Sequence, residues 1–197
     1  MNVPNKLTVF RIFLVPVLVL IWLFPYEQFN IGFAVFNVFG VKLSLLNLIL
    51  LFIFALASFT DMLDGKIARK YNLITTFGKF ADPLADKLLV NTMLILMAYD
   101  HMIPVVPVII MLARDIIVDG CRMMASQSGV VVAAGMLGKL KTVAQMFAII
   151  LILLNNLPFE IWNFPVADIL LWFATLASAV SGYSYFVQLK EYIFESK

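Results

Sequence analysis

Six runs without a charged residue constrain this chain more than any other feature of its sequence. They are Ile12–Tyr26, Leu43–Thr60, Leu88–Tyr99, Met102–Ala113, Thr142–Phe159 and Ile169–Leu189. A membrane-spanning helix needs roughly 20 mostly apolar residues. The third and fourth runs reach that length if they extend to about Asp82 and to about Arg122. Because open strands leave backbone groups without partners in lipid, each run is predicted to be a helix. The expected fold is all-α, a polytopic bundle of six transmembrane helices.

The composition agrees with a membrane protein. Of the 197 residues, 63% are hydrophobic and 13% are charged, whereas a soluble domain has about 45–50% apolar and about 25% charged residues. A single Cys excludes an intrachain disulfide framework, and one Cys with one His argues against a zinc or iron–sulfur site. Since no internal repeat or linker interrupts the chain, residues 1–197 are predicted to form a single membrane domain.

The distribution of Lys and Arg predicts the orientation. Six helices place both termini on one side, together with the loop Asp61–Lys87, the region Arg114–Lys141 and the tail after Leu189. Thirteen of the fourteen cations fall on that side, and Lys42 alone is opposite. By the positive-inside rule that side is cytoplasmic. We therefore predict a multi-pass protein of the cell membrane with cytoplasmic termini, in contact with anionic membrane lipids.

Four aspartates lie at the charged ends of two of these runs. Asp61 and Asp64 are three residues apart, and Asp82 and Asp86 are four apart, so on helices each pair shares one face. If the two helix ends adjoin, four like charges meet and need a cation beside them. Carboxylate oxygens without His or Cys suit Mg²⁺ or Mn²⁺. Four of them could hold two ions about 3.5–4 Å apart, the spacing used in phosphoryl chemistry.

Small and basic residues are interleaved with the aspartates. Gly65, Ala68 and Gly78 would let a bulky nucleotide approach the backbone. Arg69 and Lys79 could then hold a phosphate or diphosphate. The segment therefore combines the parts of a metal-assisted nucleotide site.

Two simpler interpretations of the same residues stay open at this point. The first pair of aspartates could bind Lys66 or Arg69 on a solvated loop. The dipeptide Asp82-Pro83 could be an ordinary helix start, with Asp82 as the N-cap and proline in the first turn.

The order of these residues resembles the signature of the CDP-alcohol phosphatidyltransferases. That pattern is D-x-x-D-G-x-x-A-R, eight residues, then G-x-x-x-D-x-x-x-D. Here it runs from Asp61 to Asp86, with every fixed position and spacing matched. The resemblance implies six transmembrane helices, a homodimer, two divalent cations and a role in phospholipid biosynthesis.

The resemblance also implies roles for the aspartates. Asp61, Asp64 and Asp82 are expected to bind the first metal ion. Asp61, Asp82 and Asp86 are expected to bind the second. Asp86 is further expected to be the base that deprotonates the acceptor alcohol.

The lipid substrate implied by the family is CDP-diacylglycerol, with Gly65, Arg69 and Thr75 in contact with its CDP moiety. The opening segment Pro4-Asn5-Lys-Leu-Thr8-Val-Phe-Arg11 resembles bacterial phosphatidylglycerolphosphate synthases. It is expected to bring Asn5 and Thr8 to the nucleotide, the alternative being a simple N-cap at the membrane surface. The residues expected at the CDP-diacylglycerol site are Asn5, Thr8, Gly65, Ala68, Arg69, Thr75 and Gly78.

A second basic cluster follows on the same side of the membrane. A pocket lined by Arg114, Arg122, Lys139 and Lys141 would suit a small dianion such as glycerol 3-phosphate. Arg114 lies near the inner end of a span, where ionisable groups are expensive. Ordinary positive-inside loop charge is the alternative, and it accounts for Lys141 better than for Arg114.

This second cluster resembles the same synthases, whose pattern is Ala-Arg-Glu, then Gly-x-Arg, then Gly-Lys-x-Lys-Thr. Two residues depart from it. Asp115 stands where Glu is expected, and Asp119 stands where a small hydroxyl residue is usual. An extra acid near an anion pocket would weaken phosphate binding.

The resemblance implies transfer of the phosphatidyl group from CDP-diacylglycerol to the 1-hydroxyl of sn-glycerol 3-phosphate, which gives phosphatidylglycerol phosphate and CMP. No nucleic acid partner is expected. One alternative is the same chemistry on phosphatidylglycerol, serine or inositol phosphate. Another is a divalent-cation transporter, which the charge-free middles of the runs argue against, because transporters place ion sites near the bilayer midplane.

Overall fold

The structure, a computed structural model, describes residues 1–73, 75–127 and 135–194. The side chains of Lys79, Gln127, Leu189 and residues 191–194 lie outside this description. Within the described ranges the α-helices are α1 (Val3–Leu23), α2 (Leu45–Lys70), α3 (Thr76–Tyr99), α4 (Val105–Gln127), α5 (Met136–Leu153) and α6 (Val166–Phe194). The expected all-α bundle is confirmed. A small antiparallel hairpin, β1 (Val35–Val38) with β2 (Val41–Ser44), lies between α1 and α2.

Side-chain caps fix the start of three helices. Each of these helices starts with a side chain that accepts a hydrogen bond from a backbone N–H of the first turn: Asn2 for α1, Ser44 for α2 and Thr75 for α3. Such N–H groups have no partner inside the helix. The interpretation of Asp82 as an N-cap is therefore wrong, since α3 begins at Thr76 and Pro83 lies inside it. The aspartate side chain is left available for other contacts.

In the described part of the chain, four helices are long and apolar enough to cross a membrane, namely α1, α2, α5 and α6 up to Gln188. This makes the chain a membrane protein. Helices α3 and α4 have 24 and 23 residues, a sufficient length, but one half of each carries several ionisable residues. The count of six spans stays a prediction.

The bundle is assembled from two groups of helices. Helix α1 packs on α2 and α3, and helix α6 packs on α4 and α5. Between them lies an apolar core that includes Phe54, Met93, Met97, Ile149 and Leu171, all fully buried. Because lipid is as apolar as these side chains, the core stabilises the bundle in a membrane through close packing.

Polar contacts mark the two ends of the bundle. At one end the indole of Trp22 donates to Asp100 at 2.6 Å. At the other end the hydroxyl of Thr8 donates to Asp82 at 2.6 Å. Consecutive helices run in opposite directions, so the first halves of α1, α3 and α5 meet the last halves of α2, α4 and α6 there. We call this the charged end, because the Asp and Arg residues of both sequence motifs lie at it.

Candidate active site

One face of α1 contacts the aspartates of α2 and α3. Asn5, Thr8 and Arg11 are buried and follow the helical spacing of three residues. The hydroxyl of Thr8 donates a hydrogen bond to Asp82. One terminal nitrogen of Arg11 donates a hydrogen bond to Asp61 at 2.5 Å, and the other donates to Asp64. Helix α1 therefore reaches three of the four aspartates. Sequence reasoning had noted Arg11 only as part of the opening motif and missed these contacts.

The four aspartates form one electrostatic group, which we call the aspartate cluster (Asp61, Asp64, Asp82 and Asp86). Asp64 interacts electrostatically with Asp61 and Asp82, and Asp86 interacts with Asp61. Asp64 is almost completely buried, whereas the side chain of Asp61 is 42% exposed. The expected adjacency of the two helix ends is thus observed.

The first two aspartates do not form the loop ion pairs that we had kept as an alternative. In the described part of the chain their cationic partner is Arg11 of α1, and neither Lys66 nor Arg69 pairs with them. The reason is that α2 continues to Lys70, so both acids lie on a packed helix face instead of a solvated loop. That interpretation is wrong.

A cavity opens beside the aspartate cluster between α1, α2 and α3. Its volume is about 510 Å³ including the solvent space at its open mouth. It contains six of the seven residues expected at the CDP-diacylglycerol site, and Thr8 lies next to it on Asp82. We call it the α1–α3 cavity, and it is lined by Pro4, Asn5, Gly65, Ala68, Arg69, Leu73, Thr75, Gly78 and Asp82.

Gly78 allows Thr75 and Asn5 to pack closely at the wall of this cavity. The hydroxyl of Thr75 accepts from the N–H of Gly78 at 3.0 Å and donates to the side-chain oxygen of Asn5 at 2.9 Å. A Cβ at Gly78 would lie 3.3 Å from both of these oxygens and 3.6 Å from Asp82. Asn5 is therefore a wall residue of the cavity and not a helix cap, which is Asn2.

A second cavity lies on the other side of α3, between α3, α4, α5 and α6. Its volume is about 610 Å³ with its open mouth. Among the described residues, four cations and two carboxylates line it, so these side chains carry a net positive charge. We call it the basic cavity, and its charged residues are Asp86, Lys87, Arg114, Asp115, Arg122 and Lys141.

The buried carboxylate of Asp115 holds two cations of the basic cavity, Arg114 and Lys141, in place. Asp115 accepts from the ammonium of Lys141 at 2.8 and 2.9 Å and from Arg114 at 2.9 Å. Arg114 also donates to the hydroxyl of Ser181 at 2.6 Å. Lys141 is only 4% exposed, so its interpretation as ordinary loop charge is wrong. Asp115, which departs from the expected Glu, is the partner that permits burial of these cations.

Tyr185 of α6 positions the second arginine, a contact that sequence reasoning missed. Its hydroxyl accepts from Arg122 at 2.6 Å and from the backbone N–H of Gly135 at 3.0 Å. The guanidinium carbon of Arg122 lies 4.9 Å from the centre of the ring, which is cation–π range. The only signal in the sequence was the presence of polar residues near the end of an otherwise apolar run.

Several buried donors in the basic cavity have no partner. Within the described structure these are Nε of Arg114, Nε of Arg122 and the amide nitrogen of Gln145. Buried polar groups without a hydrogen bond are costly. The cavity is therefore suited to a ligand with several acceptor oxygens.

Two residues that the sequence analysis associated with the acceptor pocket, Lys139 and Asp119, are not part of the described lining of the basic cavity. Lys139 is exposed on α5 and is not among the described residues that line the basic cavity. Asp119 pairs with Lys87 and, like Lys139, is absent from the described lining. The side chain of Lys79 lies outside the described residues.

Helix α3 connects the two cavities. Asp82 lines the α1–α3 cavity and Asp86 lines the basic cavity. Four residues of an α-helix span about 6 Å. A group bound at one cavity is therefore within reach of a group bound at the other, with the aspartate cluster between them.

Comparison with known proteins identifies the family. Residues 1–180 match the sequence model described as CDP-alcohol phosphatidyltransferase. The chain belongs to the CDP-alcohol phosphatidyltransferase family. A protein of Bacillus subtilis (strain 168) named CDP-diacylglycerol--glycerol-3-phosphate 3-phosphatidyltransferase is 44% identical over 185 residues, which cover 94% of this chain and 93% of that protein.

More distant relatives carry the same name. A Rickettsia felis protein is 38% identical over 192 residues, covering 97% of each chain. A Mycoplasma genitalium protein is 36% identical over 171 residues, covering 85% of this chain and 69% of its own length. The similarity to these phosphatidyltransferases thus extends over nearly the whole chain.

CDP-alcohol phosphatidyltransferases use divalent cations, and the aspartate cluster fits such ions in its chemistry. Its donors are carboxylate oxygens, the ligands that hard cations prefer. The present arrangement does not fit, because no three Asp, Glu, His or Cys side chains in the described part of the chain converge closely enough to hold a metal ion. Arg11 engages Asp61 and Asp64, and Thr8 engages Asp82. The donor chemistry therefore suits a divalent cation, whereas the carboxylate oxygens are engaged by Arg11 and Thr8.

Proposed function

We propose that this protein transfers the phosphatidyl group of CDP-diacylglycerol to the 1-hydroxyl of sn-glycerol 3-phosphate, giving phosphatidylglycerol phosphate and CMP. The observation that carries the proposal is the position of Asp86. It belongs to the aspartate cluster and also lines the basic cavity. A base at that point would lie between a diphosphate at the aspartate cluster and an anionic acceptor in the basic cavity. The names of the relatives support the same two substrates.

The α1–α3 cavity is proposed to bind the CDP moiety. Gly65, Ala68 and Gly78 leave part of its lining without bulky side chains, so a flat base and a ribose could approach the backbone. Arg69, which lines the cavity, would pair with the diphosphate. The acyl chains of the substrate would remain in the bilayer while its head group enters at the charged end.

Two divalent cations, Mg²⁺ or Mn²⁺, are proposed at the aspartate cluster. Asp61, Asp64 and Asp82 would hold the first, and Asp61, Asp82 and Asp86 the second. The chemistry that such ions supply is neutralisation of the negative charge on the diphosphate and on the departing phosphate of CMP.

The basic cavity is proposed to bind glycerol 3-phosphate. Its unpartnered donors from Arg114, Arg122 and Gln145 match the acceptor oxygens of a phosphate and of a hydroxyl group. Asp115 neutralises part of the positive charge but keeps Arg114 and Lys141 in place. Lys139, which is exposed, is assigned at most a role at the entrance.

Asp86 is proposed as the general base. It accepts the proton of the 1-hydroxyl, and the alcohol oxygen forms a bond to the phosphorus that carries the diacylglycerol. The bond from that phosphorus to the oxygen of CMP breaks, and CMP leaves. The role of the cavities is to hold the two substrates in line, which is a large part of the catalytic effect.

The cellular setting follows the same proposal. The charged end would face the cytoplasm, since the basic cavity proposed for the water-soluble glycerol 3-phosphate lies there together with nearly all cations. The protein would be a multi-pass, single-domain protein of the cell membrane and a homodimer, surrounded by membrane lipids.

A direct test is to incubate the purified protein with CDP-diacylglycerol, Mg²⁺ and radiolabelled glycerol 3-phosphate, and to identify the lipid product. We expect label in phosphatidylglycerol phosphate, with one CMP released per lipid formed. Unlabelled serine, inositol phosphate and phosphatidylglycerol are added as competitors and should not reduce the labelling. Consumption of one of these alcohols in place of glycerol 3-phosphate would move the assignment to another acceptor. Cation flux into liposomes without CMP release would reject the enzyme altogether.

A further inference from the structure

We propose that Arg11 is an internal counter-cation of the aspartate cluster, which a divalent cation must displace in order to bind. Under this proposal the guanidinium donates hydrogen bonds to the carboxylates of Asp61 and Asp64 as long as no metal ion is bound there. The inference rests on the proposed metal site and adds a competitor within the same chain.

The burial of Arg11 is the first observation. Its side chain is 0% exposed, and it stands among helices at the charged end. An arginine cannot be neutralised by losing its proton, so burial of its charge requires paired anions. In the described residues those anions are Asp61 and Asp64.

The geometry of the pairing is the second observation. Arginine usually binds one carboxylate with two parallel hydrogen bonds. Here one terminal nitrogen donates to Asp61 and the other to Asp64, and the buried Nε has no hydrogen-bond partner among the described residues. The guanidinium therefore bridges Asp61 and Asp64, which lie one helical turn apart, and shares its single positive charge between both carboxylates.

The exposure of the acids is the third observation. The side chain of Asp64 is 2% exposed, so an incoming ion cannot reach it from solvent while Arg11 is in place. Asp61 is exposed and can be reached first. Metal entry would therefore begin at Asp61 and finish when Arg11 releases Asp64.

Charge repulsion favours displacement over sharing. A divalent cation bound to the same carboxylates would lie a few ångströms from the guanidinium, at a distance where charges in a protein interact strongly. Release of Arg11 removes that repulsion. The stability that Arg11 supplies to the metal-free protein is then supplied by the metal.

The test compares the full-length wild type with R11Q and R11K. Mn²⁺ binding is measured from the electron paramagnetic resonance signal of free Mn²⁺, and melting temperatures are measured without metal and in saturating Mn²⁺. K6Q is the matched control, because Lys6 is an exposed cation on the same helix. D61N in each background checks that the Mn²⁺ bound is at the aspartate cluster.

We expect R11Q to bind Mn²⁺ about tenfold more tightly than wild type, because a buried positive charge has been removed beside the site. R11K should lie between the two, since lysine keeps the charge but cannot bridge two acids. Without metal R11Q should melt below wild type, and saturating Mn²⁺ should close that gap. K6Q should match wild type in both measurements.

Equal or weaker Mn²⁺ affinity in R11Q would overturn the inference, as would a loss of stability that persists in saturating Mn²⁺. Failure of R11Q to fold even with Mn²⁺ would make Arg11 a structural anchor and would also overturn it. Equal binding by all variants would leave the proposed metal site intact. Absence of Mn²⁺ binding to wild type would reject that site itself.

Discussion

The substitution Gly182→Ala tests the assignment of the basic cavity without removing any of its functional groups. Gly182 lies on α6 beside the side chain of Arg114. A Cβ at this position would stand 2.9 Å from Cγ of Arg114 and 3.7 Å from its Cβ. The nearer atom is in the stem of the side chain, so rotation of the guanidinium alone cannot relieve the contact.

The size of the effect follows from these distances. Carbon atoms pack best at about 3.5–4.0 Å, so Cγ of Arg114 must move by roughly 0.6–1 Å. Its hydrogen bonds to Ser181 and Asp115 are 2.6 and 2.9 Å long, and a displacement of that size weakens them. A hydrogen bond to a charged group contributes about 1.5–3 kcal/mol. Loss of about half of one such bond, about 0.75–1.5 kcal/mol, in phosphate binding raises KM for glycerol 3-phosphate by about 4- to 13-fold.

Steady-state kinetics with each substrate varied in turn provide the assay. We expect a raised KM for glycerol 3-phosphate in G182A and an unchanged KM for CDP-diacylglycerol. G120A is the control, because a Cβ at Gly120 of α4 would meet no atom of the described residues within 4 Å. Both changes gain helix propensity equally. If G182A and G120A have the same kinetics, Arg114 does not position the acceptor and the reasoning fails.

Three further changes test other parts of the site. D86N should lose turnover but still bind CDP-diacylglycerol, and substantial product formation by the purified variant would contradict its role as base. D115N should lower the free energy of unfolding by about 3–5 kcal/mol, because it leaves Lys141 buried without its anion. D119N is its surface control, with an expected cost of about 0–1 kcal/mol in the same melting experiment, and equal losses would refute the buried pair. G78A should raise KM for CDP-diacylglycerol several-fold and leave KM for glycerol 3-phosphate unchanged, because the added methyl group narrows the α1–α3 cavity; the reverse pattern would exchange the two cavities.

The location of the site at one end of the bundle has a physical reason. The middle of the bundle is packed with apolar side chains such as Phe54 and Met93, which suits the hydrocarbon region. Charged groups are much less costly near the membrane surface than at its centre. A reaction between a lipid and a water-soluble anion needs both environments, and the charged end provides them side by side.

The helices were predictable because their signal is local. Charge-free runs reveal where lipid can surround the chain, and the spacings of Asp61 to Asp64 and of Asp82 to Asp86 reveal shared helix faces. Neither inference requires knowledge of a distant residue. The helix ends were placed less well, since α3 begins at Thr76 and the hydropathy signal stops where the charged residues begin.

The partners of the functional side chains were not predictable in the same way. Nothing in the spacing of Arg11 indicates that it bridges two acids about fifty positions later. The contact of Tyr185 with Arg122 was not predictable either, because Tyr185 lies in a mostly apolar run without charged residues. Such contacts depend on which helix faces meet, and that is decided by packing.

The sequence by itself determined the class of protein, the helical bundle, the family signature and the side of the bundle on which chemistry is possible, because these depend on composition and on spacings within one helix. Only the tertiary structure decided that Arg11 neutralises Asp61 and Asp64, that Asp115 holds the cations of the basic cavity, and that Lys139 stays outside it. Hydrogen bonds and ion pairs act over a few ångströms, and those distances exist between helices only after the bundle has packed.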